Sequence, residues 1–138
     1  MKSIISLVVL ASVSLAQNSI IGLPTAGYMI TKGGNVTVQV QRPNSLTGST
    51  EIAVIIGVSS CASTPCQPAG EVMGTILYQG PFDPQYHESD QPPYQNFTVT
   101  LPNLIAAGDA QINVAHAALV GAGPFPYLET LNRTVVVV

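Results

Sequence analysis

The stretch DAQINVAHAALV, residues 109–120, alternates along its whole length. Ala110, Ile112, Val114, His116, Ala118 and Val120 fall on one side, with Gln111 and Asn113 among those on the other. Successive side chains of a β-strand point to opposite faces, so this period of two predicts a strand with one buried face. The same pattern recurs on either side. In GNVTVQVQ (34–41), Val36, Val38 and Val40 oppose Asn35, Thr37, Gln39 and Gln41. In YQNFTVTLP (94–102), Phe97, Val99 and Leu101 oppose Asn96, Thr98 and Thr100. EIAVIIGVS (51–59) is a denser apolar run that suits a central strand. Residues 72–78 and 128–137 predict further strands, and 19–23 an edge strand.

Turn chemistry separates these runs: Lys32-Gly33-Gly34, Pro43-Asn44-Ser45, Gly80-Pro81, Ala107-Gly108-Asp109 and Gly121-Ala122-Gly123-Pro124. Helical spacing is nearly absent, and the lone candidate, 103–107, is one turn long. Seven or eight short strands predict an all-β, antiparallel sandwich of immunoglobulin or fibronectin type.

Residues 1–16, MKSIISLVVLASVSLA, read as a secretory signal peptide: Lys2, a short apolar run, then small Ser14 and Ala16. The run is shorter than the roughly 20 residues that span a bilayer. The expected product is a secreted, extracellular single domain, 17–138, with no membrane anchor, and we expect a monomer. Without Lys2, only Lys32, Arg42 and Arg133 oppose seven acids, which argues against nucleic acid as a partner.

With only 8% charged residues, the chain needs another source of solubility, and glycans would supply it. Asn35-Val36-Thr37, Asn96-Phe97-Thr98 and Asn132-Arg133-Thr134 are acceptor sequons, and Asn35 and Asn96 fall on the polar faces of their strands. Cys61 and Cys66 are the only cysteines, and in an oxidising compartment they are expected to pair. Closing so short a loop contributes about 2 kcal/mol.

No catalytic set emerges. Asp83, Glu88 and Asp90 share one proline-rich loop, and their expected role is to solvate it. GxSxG is absent, and neither His87 nor His116 has a nucleophile in a recognisable motif. Alternation turns His116 inward, where a histidine satisfied by hydrogen bonds is the common case. No metal site, cofactor or enzymatic activity is expected.

Chemistry concentrates instead in GPFDPQYHESDQPPYQNF (80–97). The connection 80–93 is longer than a hairpin, and its prolines limit its freedom before any partner arrives. Tyr86 and Tyr94 offer rings with polar tips, the type enriched at interface anchors. A second loop, VGAGPFPYLE (120–129), adds Phe125 and Tyr127.

Residues 74–102, followed by 108–137, resemble the necrosis-inducing secreted protein family of fungal effectors, the Nis family. LYQGPF, Tyr86-His87-Glu88, PPYQNFTV (with Pro93 and Tyr94) and AQINVAH carry the resemblance; residues 17–70 share only the general strand pattern. It implies a secreted, non-catalytic protein that binds and inhibits receptor-associated kinases of a host plant, suppresses immunity and can cause cell death. The host cell would then be a further destination. Tyr86, His87, Glu88, Pro93, Tyr94, Phe125 and Tyr127 are the candidate partner-binding residues. The rival reading is a structural or carbohydrate-contacting protein of the fungal wall.

Overall fold

The computed structural model describes residues 18–44 and 48–138. The leader 1–16, Gln17 and the Ser45 end of one turn signal lie outside the described residues. Eight strands are present: β1 (Ile20–Leu23), β2 (Met29–Ile30), β3 (Asn35–Gln41), β4 (Ser49–Ser60), β5 (Thr75–Gly80), β6 (Tyr94–Thr100), β7 (Gly108–Val120) and β8 (Phe125–Val137). They form a three-stranded sheet, β1-β3-β6, and a five-stranded sheet, β2-β8-β7-β4-β5. Every pairing is antiparallel except the short β2–β8 contact. This strand order is that of an immunoglobulin-type sandwich whose first strand is shared between the sheets.

The alternation seen in sequence becomes the core. Val36, Val38 and Val40 of β3 and Phe97 and Val99 of β6 face Val54, Ile56, Val58, Ile112, Val114 and Val135 of the larger sheet. No helix is assigned among the described residues; 103–107 holds only a turn. None there is long and apolar enough to cross a membrane.

β2 has no counterpart among the expected strands, and the largest boundary shifts are at the starts of β5 and β8. β5 begins at Thr75 rather than at Val72, because 61–74 forms a flap across the outer face of the five-stranded sheet. The Cys61–Cys66 disulfide closes its first turn. Gly57 and Gly74 allow its close approach: a Cβ on Gly57 would meet Met73 O at 2.2 Å, and one on Gly74 would meet Val58 O at 2.1 Å. Gly74 also has a positive φ of 74°, which favours glycine. β8 begins at Phe125 rather than at Leu128, so Phe125 and Tyr127 are strand residues, not loop residues. Two prolines obscured this start. Pro126 is tolerated because β8 is an edge strand here, β2 joining only at Val136 and Val137.

Candidate functional site

Four segments meet at one end of the sandwich: the residues leading into β1, the β3–β4 connection, the long β5–β6 connection and the β7–β8 hairpin. Beneath them lies a buried ionic cluster. His116, 1% exposed, projects inward from β7 directly opposite Glu129 of β8. Its Nδ1 donates to Glu129 Oε1 at 2.9 Å, and its Nε2 donates to Glu51 Oε2.

Glu51 reaches this position through a β-bulge. The β4–β7 register shifts between Glu51 and Ala53, so Glu51 pairs with Ala118 and faces inward alongside Val54. Simple alternation from Val54, Ile56 and Val58 would have turned Ile52 inward; instead Ile52 is half exposed. Re-aiming a side chain is a common use of a bulge.

The cluster extends through a guanidinium and several neutral groups. Arg42 Nε lies 3.2 Å from Glu51 Oε1 without the alignment of a hydrogen bond. Arg42 Nη1 donates to Ser49 Oγ (3.2 Å), which donates to Glu51 Oε1 (2.9 Å). On the other side, Ser19 N donates to Glu129 Oε1 (2.6 Å), and Tyr127 Oη donates to Glu129 Oε2 (3.2 Å). Tyr127 also bonds the side chain of Asn18. Five segments are thus tied to two carboxylates.

Burial by itself disfavours a charged imidazole. The hydrogen bonds and charges of Glu129 and Glu51 outweigh it and raise the His116 pKa to about 9. Burial likewise pushes the Glu129 carboxyl up, but hydrogen bonds from His116 and Ser19 prevail and lower it. At neutral pH the cluster holds an imidazolium and a guanidinium against two carboxylates, a balanced set.

Ser19 Oγ lies 3.1 Å from His116 Nδ1, so serine, histidine and carboxylate are in contact as they are in hydrolases. The chemistry differs. An imidazolium held between two carboxylates has no free lone pair with which to accept a proton, and Ser19 is only 2% exposed. The carboxylates engage opposite ring nitrogens, so the three donors do not converge on a point where a metal could sit.

The β5–β6 connection roofs this cluster. Phe82 is 3% exposed, and its ring meets His116 edge-on at 5.3 Å. Beyond it, Asp83 N donates to Gln95 Oε1 (2.8 Å), and Gln85 and Tyr94 exchange two backbone hydrogen bonds (3.1 and 3.0 Å). His87 stacks on Tyr94 with ring centroids 4.1 Å apart. Tyr94 Oη donates to Glu88 Oε1 at 2.9 Å, a bond that raises the phenol pKa above its usual value. Pro93 O accepts from Arg42 N (2.8 Å), which links the roof to the ionic cluster through Arg42. Asn44 donates to the Tyr86 hydroxyl.

A protein-family model, the Nis1 family, matches residues 16–136. The chain belongs to the Nis1 family. Comparison with curated proteins finds no match.

In this Nis1-family protein the seven candidate partner-binding residues divide into two groups. Tyr86 (63% exposed), His87, Glu88 and Phe125 (53% exposed) lie at the surface. Pro93 and Tyr94 are buried and Tyr127 is half-buried, so these three hold the framework together. The sequence reading missed Glu51, Glu129, Arg42 and Ser19. Glu129 was within reach, because it shares inward parity with Val135 and Val137 of β8. Glu51 was not, because the bulge that turns it leaves no mark in the hydrophobic pattern. The three sequon asparagines, Asn35, Asn96 and Asn132, are all exposed.

Proposed function

We propose that this Nis1-family protein is a secreted, effector-like binding protein without catalytic activity. Its partner is a plant receptor-associated kinase, whose activity it lowers, and it acts as a monomer that suppresses host immunity. The observation that carries this reading is the loop-bearing end. Tyr86, His87 and Glu88 are exposed there on a backbone fixed by Phe82, Gln95 and Tyr94, above a buried ionic anchor. A pre-ordered loop gives up little freedom on association. A phenol, an imidazole and a carboxylate side by side suit a polar protein surface.

The test is capture of a receptor-associated kinase from plant tissue by the purified protein, with kinase autophosphorylation as the readout. Wild type is expected to retain the kinase and reduce autophosphorylation, and Tyr86→Ala with Phe125→Ala is expected to lose both effects. Absence of kinase capture, or full inhibition by the double variant, defeats this reading. Retention on chitin, glucan or cellulose without kinase capture would favour the wall-contact reading instead.

A further inference from the structure

We infer that Asn35 is glycosylated and that its first N-acetylglucosamine packs into a cleft built beside it, against Tyr28. This rests on the reading of the chain as secreted. The cleft, about 250 Å³, is lined by Leu23, Pro24, Thr25 and Tyr28 and by all three residues of the sequon, Asn35, Val36 and Thr37. It exists because β1 pairs with β3 only over Gln39, Val40 and Gln41. Beyond Leu23 the chain leaves the sheet, and the edge of β3 from Asn35 to Val38 has no strand neighbour on that side.

Thr100 Oγ1 donates to Asn35 Oδ1 at 2.6 Å across the β3–β6 pair, which leaves Nδ2, the atom that carries a glycan, unengaged by that bond. Tyr28, half exposed, lines the cleft, and Leu23 adds exposed apolar surface. An exposed aromatic beside aliphatic carbons suits the apolar face of a sugar ring, while the hydroxyls stay in water. The cleft is below the 300–1,000 Å³ usual for a ligand pocket, which fits a single tethered ring better than a free ligand. Asn96 and Asn132 differ: they project from sheet surfaces opposite Gln39 and Asn113, and neither lines this cleft. Their glycans would be solubilising, whereas the Asn35 sugar covers the open edge of β3.

The experiment expresses the full chain in yeast and maps each sequon by enzymatic deglycosylation in ¹⁸O-water. Glycan is expected at Asn35. Glycan trimming to one N-acetylglucosamine should leave Tm unchanged, because the first ring makes the contact. Tyr28→Ala should lower the Tm of glycosylated protein by about 3–5 °C and have a smaller effect in an Asn35→Gln background. Sugar at Asn96 or Asn132 with Asn35 empty overturns the inference while leaving secretion intact. Equal Tyr28→Ala shifts in both backgrounds overturn the packing. A chain retained in the cell with every sequon empty overturns the secretion reading, and this inference with it.

Discussion

Strand β7 buries polar side chains on both faces, and the two sets are built on different principles. On the inner face, His116 sits between Glu51 and Glu129 in a network of full charges. On the outer face, Gln111 and Asn113 are buried beneath the disulfide flap in a network of neutral amides. Gln111 Nε2 donates to Gln67 O (2.6 Å) and Asn113 Oδ1 (2.8 Å), and Asn113 Nδ2 donates to Ser59 Oγ (3.1 Å) and Met73 O (3.2 Å). The charged network anchors the loop-bearing end and responds to pH. The amide network anchors the flap, whose first turn the Cys61–Cys66 disulfide closes. One strand therefore ties the loop-bearing end and the flap to the sandwich through two different kinds of network.

The largest expected effect comes from breaking the charged network. His116→Ala leaves two buried carboxylates without their cation and should destabilise the fold by about 3–5 kcal/mol, measured by urea denaturation at pH 7. Alkali should do the same by degrees in wild type. The folded His116 pKa of about 9 lies above its ordinary 6.5. Its contribution is therefore complete below about pH 6.5 and is lost as pH rises through 9. The urea midpoint should fall across that window, and in His116→Ala this component of the slope should vanish. At the acid end the sign reverses: the Glu129 carboxyl is held low, so its contribution is lost as pH falls through that depressed value.

Asn113→Ala should be milder, about 1–3 kcal/mol, because it strands neutral partners rather than charges. Its penalty should be the same at pH 6 and pH 9; a penalty that changes across that range would mean the two networks are coupled through β7. Replacing both Cys61 and Cys66 by Ser should cost about 2 kcal/mol and leave the alkaline slope intact. The smallest effect is expected at the surface. Tyr86→Ala should change stability by less than about 0.5 kcal/mol, so any loss of partner capture would reflect lost contact rather than unfolding.

Strand identity was legible wherever one face met the core and the other met water. That condition holds along β6 and much of β3, and the inward valines, Phe97 and His116 all face as alternation predicts. It fails where a second layer covers the outer face. Asn113 is fully buried although its parity reads as exposed, because the flap lies over it. It also fails at Tyr94 and Tyr127, since an aromatic with a hydroxyl reads equally well as a surface anchor or a hydrogen-bonded framework residue. Their partners, Glu88 for one and Asn18 and Glu129 for the other, decided which.

By itself the sequence determined an all-β domain, the pairing of its two cysteines and the inward direction of His116. These follow from periodicity and composition, which act along the chain. Only the tertiary structure decided what His116 meets. Glu51 is 65 positions away and turned inward by a bulge, and Ser19 is 97 positions away. A buried charge is tolerable only when opposite charges and hydrogen bonds surround it. That requirement is met in space, by segments whose meeting depends on the sheet register.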